Sequence, residues 1–229
     1  MPAKAIVSYD GTLNDLDGLA LARVLSGAGL ELILAYVRHA RSEQLVREAL
    51  EEHEADSLLE RGARWLGDVE VEQRVVMHAS TGEGLRVLAE QSGAGLIVFG
   101  SDYRTPAGHV ALQSSATKLL DGGATAVAIA PAGYAATREH AIATIGLLAG
   151  LEDHAAIDTA HSLASHYEAT VTGATQGIDL LIVGSRPEAG EGRVLVSARA
   201  QNAIEEATSP VLVVARGVPV AFRAPLYVS

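Results

Sequence analysis

One stretch of the chain occurs twice without a gap. Leu96-Ile97-Val98-Phe99-Gly100-Ser101, leading on to Val127-Ala128-Ile129-Ala130, returns 84 positions later as Leu180-Leu181-Ile182-Val183-Gly184-Ser185, leading on to Val211-Leu212-Val213-Val214. Gly108 maps onto Gly192 and Val110 onto Val194 in the same frame. A repeat of this length implies two copies of one supersecondary unit. Each copy reads as an apolar strand, a Gly-Ser turn, a long polar loop, a helix and a second apolar strand. Strands that are apolar along their whole length, with a loop leaving the carboxyl end, point to a parallel sheet covered on both faces. In open sheets of that kind ligands bind at the carboxyl end.

The residues before the first copy extend it into a full alternating unit. Ala5 to Tyr9 reads as a strand, and Asp10-Gly11-Thr12 turns it into a helix with Leu16, Leu19, Ala20 and Val24 at helical spacing, capped by Thr12 or Asn14. Leu30 to Val37 is the next strand, Ser42 to Trp65 a long acidic helix, Glu70 to Met77 a half-covered edge strand, and Ser80 to Ser92 a helix capped by Thr81 or Ser80. Residues 1–131 thus alternate strand and helix, which requires a parallel sheet with right-handed crossovers. The second half is shorter: 89 positions separate Gly11 from Gly100, but only 34 separate Gly150 from Gly184. A strand at Ala141 to Leu148 and a helix from Asp153 to His166 fit there. Because a parallel neighbour needs a crossover of roughly a dozen residues, Ala169 to Gly177 is expected to be a connector. That leaves about three strands, with Ala141 to Leu148 as an uncovered edge. The expected organisation is a complete domain over 1–134, a shortened one over 135–218 and a C-terminal tail over 219–229. Pro219 and Pro225 limit ladder pairing in the tail, which is the internal competitor for that edge.

Composition removes several functions. The chain has no cysteine, so disulfides, thiolate metal sites and a cysteine nucleophile are excluded. A formal net charge of -11, with no basic cluster, opposes binding to nucleic acid or anionic lipid. The start lacks a signal-peptide pattern and no apolar run approaches the ~18 residues of a membrane span, so a cytoplasmic protein is expected. Ser115-Ala116-Thr117-Lys118 matches S-x-x-K without the partner motifs of a serine acylase. His39, His78 and His109 fall near the carboxyl edge of the sheet, but without the paired carboxylate spacing of a metal site they read as surface histidines.

Tyr9-Asp10-Gly11-Thr12 after the first strand, the Met77 to Gly84 entry to the third helix and the Gly-Ser loop together resemble the universal stress protein family, over residues 4–131 in full and about 141–215 in shortened form. The resemblance implies an open α/β sheet of the Rossmann-like, adenine nucleotide alpha hydrolase-like type, strand order 3-2-1-4-5, followed by the truncated copy. It also implies that the two halves pair through their last strands, Thr125 to Ala130 and Pro210 to Ala215. The family's nucleotide loop follows G-x2-G-x9-G-[ST], with the Asp of the first turn beside the ligand. Laid on this chain, the pattern falls on Gly100, Tyr103, Gln113 and Ser114, and again on Gly184, Pro187, Ser197 and Ala198. Two of the three glycines are lost each time. Those glycines let backbone N–H groups approach phosphates; Tyr103 projects a ring there, and Pro187 lacks the donor. The counterpart of Asp10 in the second half is read as Ala149.

Any nucleotide site is therefore expected to be single, weak and confined to the first half, at Asp10, Val37, Gly100, Ser101, Ser114 and Ser115, with Arg104 in the same loop. Asp10 serves equally as an ordinary turn residue, and Ser114 as a plain helix cap. Two functions follow: a non-catalytic interaction module in stress response with a degenerate nucleotide site and no cofactor, or an ATP-binding, nucleotide-dependent regulator. No nucleophile with its base or metal set suggests an enzyme. The expected partners are a second copy of the chain, as a homodimer, and an unidentified protein.

Overall fold

The computed structural model describes residues 3–39, 45–137 and 140–223, and residues 45–52 by their backbone alone. The proposed helix start at Ser42 and the tail's Pro225 lie outside the described residues. Among the described residues nine strands form one sheet in the order β3-β2-β1-β4-β5-β9-β8-β6-β7. The first half supplies β1 (Lys4–Ser8), α1 (Asp15–Gly27), β2 (Glu31–Arg38), α2 (Leu45–Leu66), β3 (Val71–Met77), α3 (Thr81–Ser92), β4 (Leu96–Gly100), α4 (Ser114–Leu120) and β5 (Ala126–Ala130), in the expected order and all parallel. After a 3-10 turn at Tyr134–Ala136 come β6 (Thr144–Leu148), α5 (His154–Tyr167), β7 (Thr170–Thr172), β8 (Leu180–Val183), α6 (Ala198–Glu205) and β9 (Val211–Val213).

The halves meet through their last strands, as the resemblance implies. β5 and β9 pair antiparallel, with Ala128 opposite Leu212, its own counterpart in the repeat. An approximate two-fold axis therefore passes through that residue pair. The loops obey the same symmetry. Val110 N–H donates to Ala207 C=O in the other half (3.2 Å), and Val194 N–H donates to Gly123 C=O (2.8 Å). Alternation along β5 and β9 divides the core into two layers. Ala126, Ala128, Leu212 and Val214 join the layer containing residues of α1, α2 and α5, while Val127, Ile129, Val211 and Val213 join the layer containing residues of α3, α4 and α6. Both layers run through the junction, so apolar burial continues across it.

Two expectations about the second half are corrected. Thr170–Thr172 is a strand, β7, parallel to β6, so that half has four strands and β6 is not an edge. The chain then passes from β7 to β8 on the other side of β6 in seven residues, without a crossover helix. Gly146 allows this: a Cβ there would stand 2.3 Å from Ala174 O and 2.4 Å from Ile178 Cδ1, so the connector lies directly against the bare backbone of β6. Among the described residues, the segment after β9, as far as Arg223, does not cover a sheet edge either. Val220 and Phe222 are buried in the layer with α1 and α5, Val220 N–H donates to Thr159 Oγ1 (3.0 Å), and Arg223 N–H donates to Ala28 C=O (2.9 Å).

Candidate functional site at the carboxyl ends of β1 and β4

The strand order reverses between β1 and β4, the place where an open sheet of this type offers a crevice. Asp10 follows β1 and is exposed; its Oδ1 accepts from Thr12 N–H (3.2 Å) in a local turn. The backbone N–H groups of Asp10 (2.9 Å) and Thr12 (3.0 Å) also donate to Oδ2 of Asp15, in the first turn of α1. Asp15 is buried, and its carboxyl is pushed up to about 7, first by burial and then by the hydrogen-bonded, like-charged Asp10 carboxyl. Asp17 is buried too. Burial raises its pKa against the opposing pull of Ala135 N–H (2.7 Å) and Gly133 N–H (2.8 Å), which donate to its two oxygens and tie the segment after β5 to α1.

Gly100 closes β4 directly beneath the start of α1. A Cβ there would lie 1.8 Å from Asn14 O. Asn14, expected as a side-chain cap, makes no capping bond; its amide Nδ2 donates instead to Ser101 C=O (3.2 Å) and Asp102 C=O (2.7 Å). Gln113, at a lost glycine position, donates from Nε2 to Gly100 C=O (3.0 Å). The Ser101 hydroxyl is buried, donates to Ala130 C=O (2.7 Å) and accepts from Ala111 N–H (3.2 Å). Its repeat counterpart repeats both bonds, with Ser185 Oγ donating to Val214 C=O (2.7 Å) and accepting from Leu195 N–H (3.3 Å). A bond pair conserved across the internal repeat marks these hydroxyls as parts of the loop's own frame. Ser101→Ala and Ser185→Ala are each expected to cost about 1–2 kcal/mol, similar in size and additive, because each leaves a buried carbonyl without its donor. Urea denaturation of both single variants and the double variant measures this.

The remaining site residues lie along the same edge. Val37, at the end of β2, is buried beneath α3, where a Cβ on Gly84 would stand 2.9 Å from its Cγ1. Ser114 is exposed and Ser115 half-buried in the first turn of α4, whose cap position, Gln113, makes no side-chain capping bond. Arg104 Nε donates to Tyr103 Oη (2.7 Å), and its guanidinium lies over the Tyr103 ring, 4.9 Å from the centroid. That cation is folded onto its neighbour. His39 Nε2 meets Thr81 Oγ1 (3.3 Å), joining the end of β2 to the start of α3, and His78 Nδ1 accepts from Ser80 N–H (3.2 Å), a local contact. Among the described residues no group of three His, Cys, Asp or Glu side chains could hold a metal ion. Asn14, Asp15, Asp17 and the amide of Gln113 are the groups that shape this edge and that pattern reading missed. The one available signal was Asp15 and Asp17 bracketing Leu16 at the start of an otherwise apolar helix.

In the second half the pairing of β6 with β8 aligns Ala149 with Tyr9, so the counterpart of Asp10 is Gly150 and not Ala149. Asp153 fills the space over Gly184: a Cβ on that glycine would stand 2.0 Å from Asp153 Oδ2, while Oδ1 accepts from Ala156 N–H (3.2 Å) to cap α5. Beside it lies a cavity of about 320 Å³ lined by Asp153, His154, Asp158, Pro187, Glu191 and Arg216 among others. The first turn of α6 does not reach this cavity.

Solved structures place this arrangement in a fold. A universal stress protein from Archaeoglobus fulgidus superposes with a TM-score of 0.70 at 13% identity, covering 93% of this chain and 98% of that one. A protein of unknown function from Pseudomonas aeruginosa gives 0.61 at 17% identity over 96% and 93%, and a putative universal stress protein from the same organism 0.59 at 15% over 93% and 93%. No protein-family profile and no curated protein matches the sequence. The chain has the universal stress protein fold, with a mostly parallel open sheet whose first five strands run 3-2-1-4-5. No helix among the described residues is long and apolar enough to cross a membrane.

Proposed function

We propose that the protein is a non-catalytic interaction module of stress response, built on the universal stress protein fold around a degenerate nucleotide site. The observation that carries this reading is that the loop after β4 spends its backbone N–H donors on itself: Asp102 N–H donates to Ala111 C=O, Arg104 N–H to Asp102 Oδ1, Thr105 N–H to Asp102 C=O and Ala111 N–H to Ser101 Oγ. Asn14 and Gln113 donate to the three successive carbonyls of Gly100, Ser101 and Asp102, and Ser101 is engaged internally. Of the two lost glycine positions, Gln113 supplies one of these amides and Tyr103 places a ring beside Arg104. No cofactor is assigned, and the working partner is another protein chain.

Exposed Asp10 and Ser114 favour the second reading, an ATP-binding regulator with one weak site in the first half. Losing two or three charge-assisted hydrogen bonds of ~1.5–3 kcal/mol each moves a micromolar ligand to the millimolar range or beyond. Native mass spectrometry of freshly purified protein separates the two. The interaction module is expected to carry no adenine nucleotide; stoichiometric ATP retained through purification would establish the regulator.

A further inference from the structure

We infer that the free edge of β3 pairs with β3 of a second copy of this chain, antiparallel, with Gln73 on the two-fold axis. β3 ends the sheet, and among the described residues no strand lies against its outer side. His78 N–H donates to Arg38 C=O, so by the alternation of a strand the even-numbered residues direct their backbone groups to β2. Val71, Gln73 and Val75 then turn their N–H and C=O groups outward. The edge carries no proline, lysine or glycine to block pairing. On one face Val71 and Val75 pack at the margin of the layer containing α1 and α2 residues. On the other, Glu72 and Arg74 stand exposed and ion-paired with each other, and a groove formed by Arg74, Val76, Leu88 and Gln91 runs beside α3. Met77, at the end of the strand, is half exposed.

Charge and shape select one register. A two-fold axis perpendicular to the sheet keeps each face on its own side, so only registers centred on a residue are open. Centring on Glu72 opposes two glutamates, centring on Arg74 opposes two arginines, centring on Val71 opposes Glu72 to Glu70, and centring on Val75 leaves Arg74 opposite Val76 with no charge partner. Centring on Gln73 places Glu72 opposite the partner subunit's Arg74 in both directions and joins the two local ion pairs into one network. It also sets Val71 opposite Val75 of the partner subunit, which extends the apolar layer across the junction, with about six backbone hydrogen bonds from the outward-facing residues. The occupant is thus self-complementary, as an isologous dimer requires.

This assignment names a partner for the interaction module proposed above, and its test does not involve nucleotide. Sedimentation of the full chain over a range of concentrations is expected to show a monomer–dimer equilibrium. Glu72→Arg or Arg74→Glu alone should weaken the dimer roughly tenfold or more, and the double exchange Glu72→Arg/Arg74→Glu should restore it. The chain has no cysteine, so Gln73→Cys gives a clean second reading: at the two-fold axis its Cα atoms fall about 5.5 Å apart, within disulfide range, and mild oxidation should link two chains. A strict monomer, a dimer indifferent to the single reversals, or a double exchange as weak as either single variant would overturn the assignment. A monomer that still refuses ATP would remove the β3 dimer and leave the proposed function standing.

Discussion

Gly100→Ala is expected to destabilise the protein by on the order of 4 kcal/mol, and Gly184→Ala by about half as much. The two glycines are repeat counterparts at the ends of β4 and β8, so the contrast isolates what lies over each. Above Gly100 is backbone: a new Cβ would meet Asn14 O at 1.8 Å and Asn14 C at 2.6 Å. The start of α1 has to move, and with it the Asn14 amide that holds Ser101 and Asp102 and the Asp15 carboxylate that holds Asp10 and Thr12. Above Gly184 the nearest atom is Asp153 Oδ2, at 2.0 Å, which belongs to a rotatable side chain. Its displacement costs mainly the cap on α5, about 1 kcal/mol, plus adjustment against Ala149. Equal losses in urea denaturation of the two variants would show that α1 does not close down on β4 as described.

Asp15 makes stability depend on pH. Its carboxyl has an ordinary value of 3.8 and is held at about 7 in the folded chain by burial and by Asp10. Between these values the folded state binds a proton that the unfolded state has released. The contribution of Asp15 is therefore most favourable below about pH 4 and is lost as pH rises through about 7. Asp15→Asn keeps an oxygen to accept from Asp10 N–H and Thr12 N–H and turns an amide donor to the Asp10 carboxylate. The variant is expected to match its parent near pH 4 and to exceed it by on the order of 3 kcal/mol at pH 8. Unfolding of both proteins by urea across pH 4–8 gives the difference directly. A gap that stays constant with pH would mean that the Asp15 carboxyl titrates normally.

Much of the fold was legible because its signals are local or repeated. The repeat, with its copies 84 positions apart, located β4, β5, β8 and β9, and the family resemblance implied the pairing of the two last strands now seen with Ala128 opposite Leu212. β7 was not legible, for a physical reason. The rule that a parallel neighbour needs a long crossover supposes strands of ordinary length with a helix between them; β7 has three residues, so seven suffice for the return when they lie directly against the bare backbone of Gly146. At the candidate site the lost glycines at Tyr103 and Gln113 were readable as side chains in the path of a phosphate. Where Asn14 and Gln113 direct their amides was not, because each bond spans a fold-level approach between α1 or α4 and the end of β4. Ser101 shows the limit of motif reading from the other direction. The Gly-Ser pair marks the loop correctly, but the hydroxyl bonds the carbonyl of Ala130, which only the closed sheet brings near.

The most direct measurement of the central claim is calorimetric titration of ATP into the unmodified protein and into Tyr103→Gly/Gln113→Gly. A loop that uses its backbone N–H donors internally and carries side chains at Tyr103 and Gln113 should give the unmodified protein an affinity no tighter than about millimolar. The double glycine variant, with the Gln113 amide gone from Gly100 and the loop backbone open, should bind more tightly at one site. Adding Asp10→Ala to it should lower the affinity again. Two tight ATP sites in the unmodified protein would contradict the degenerate-site account and make the chain a nucleotide-dependent regulator.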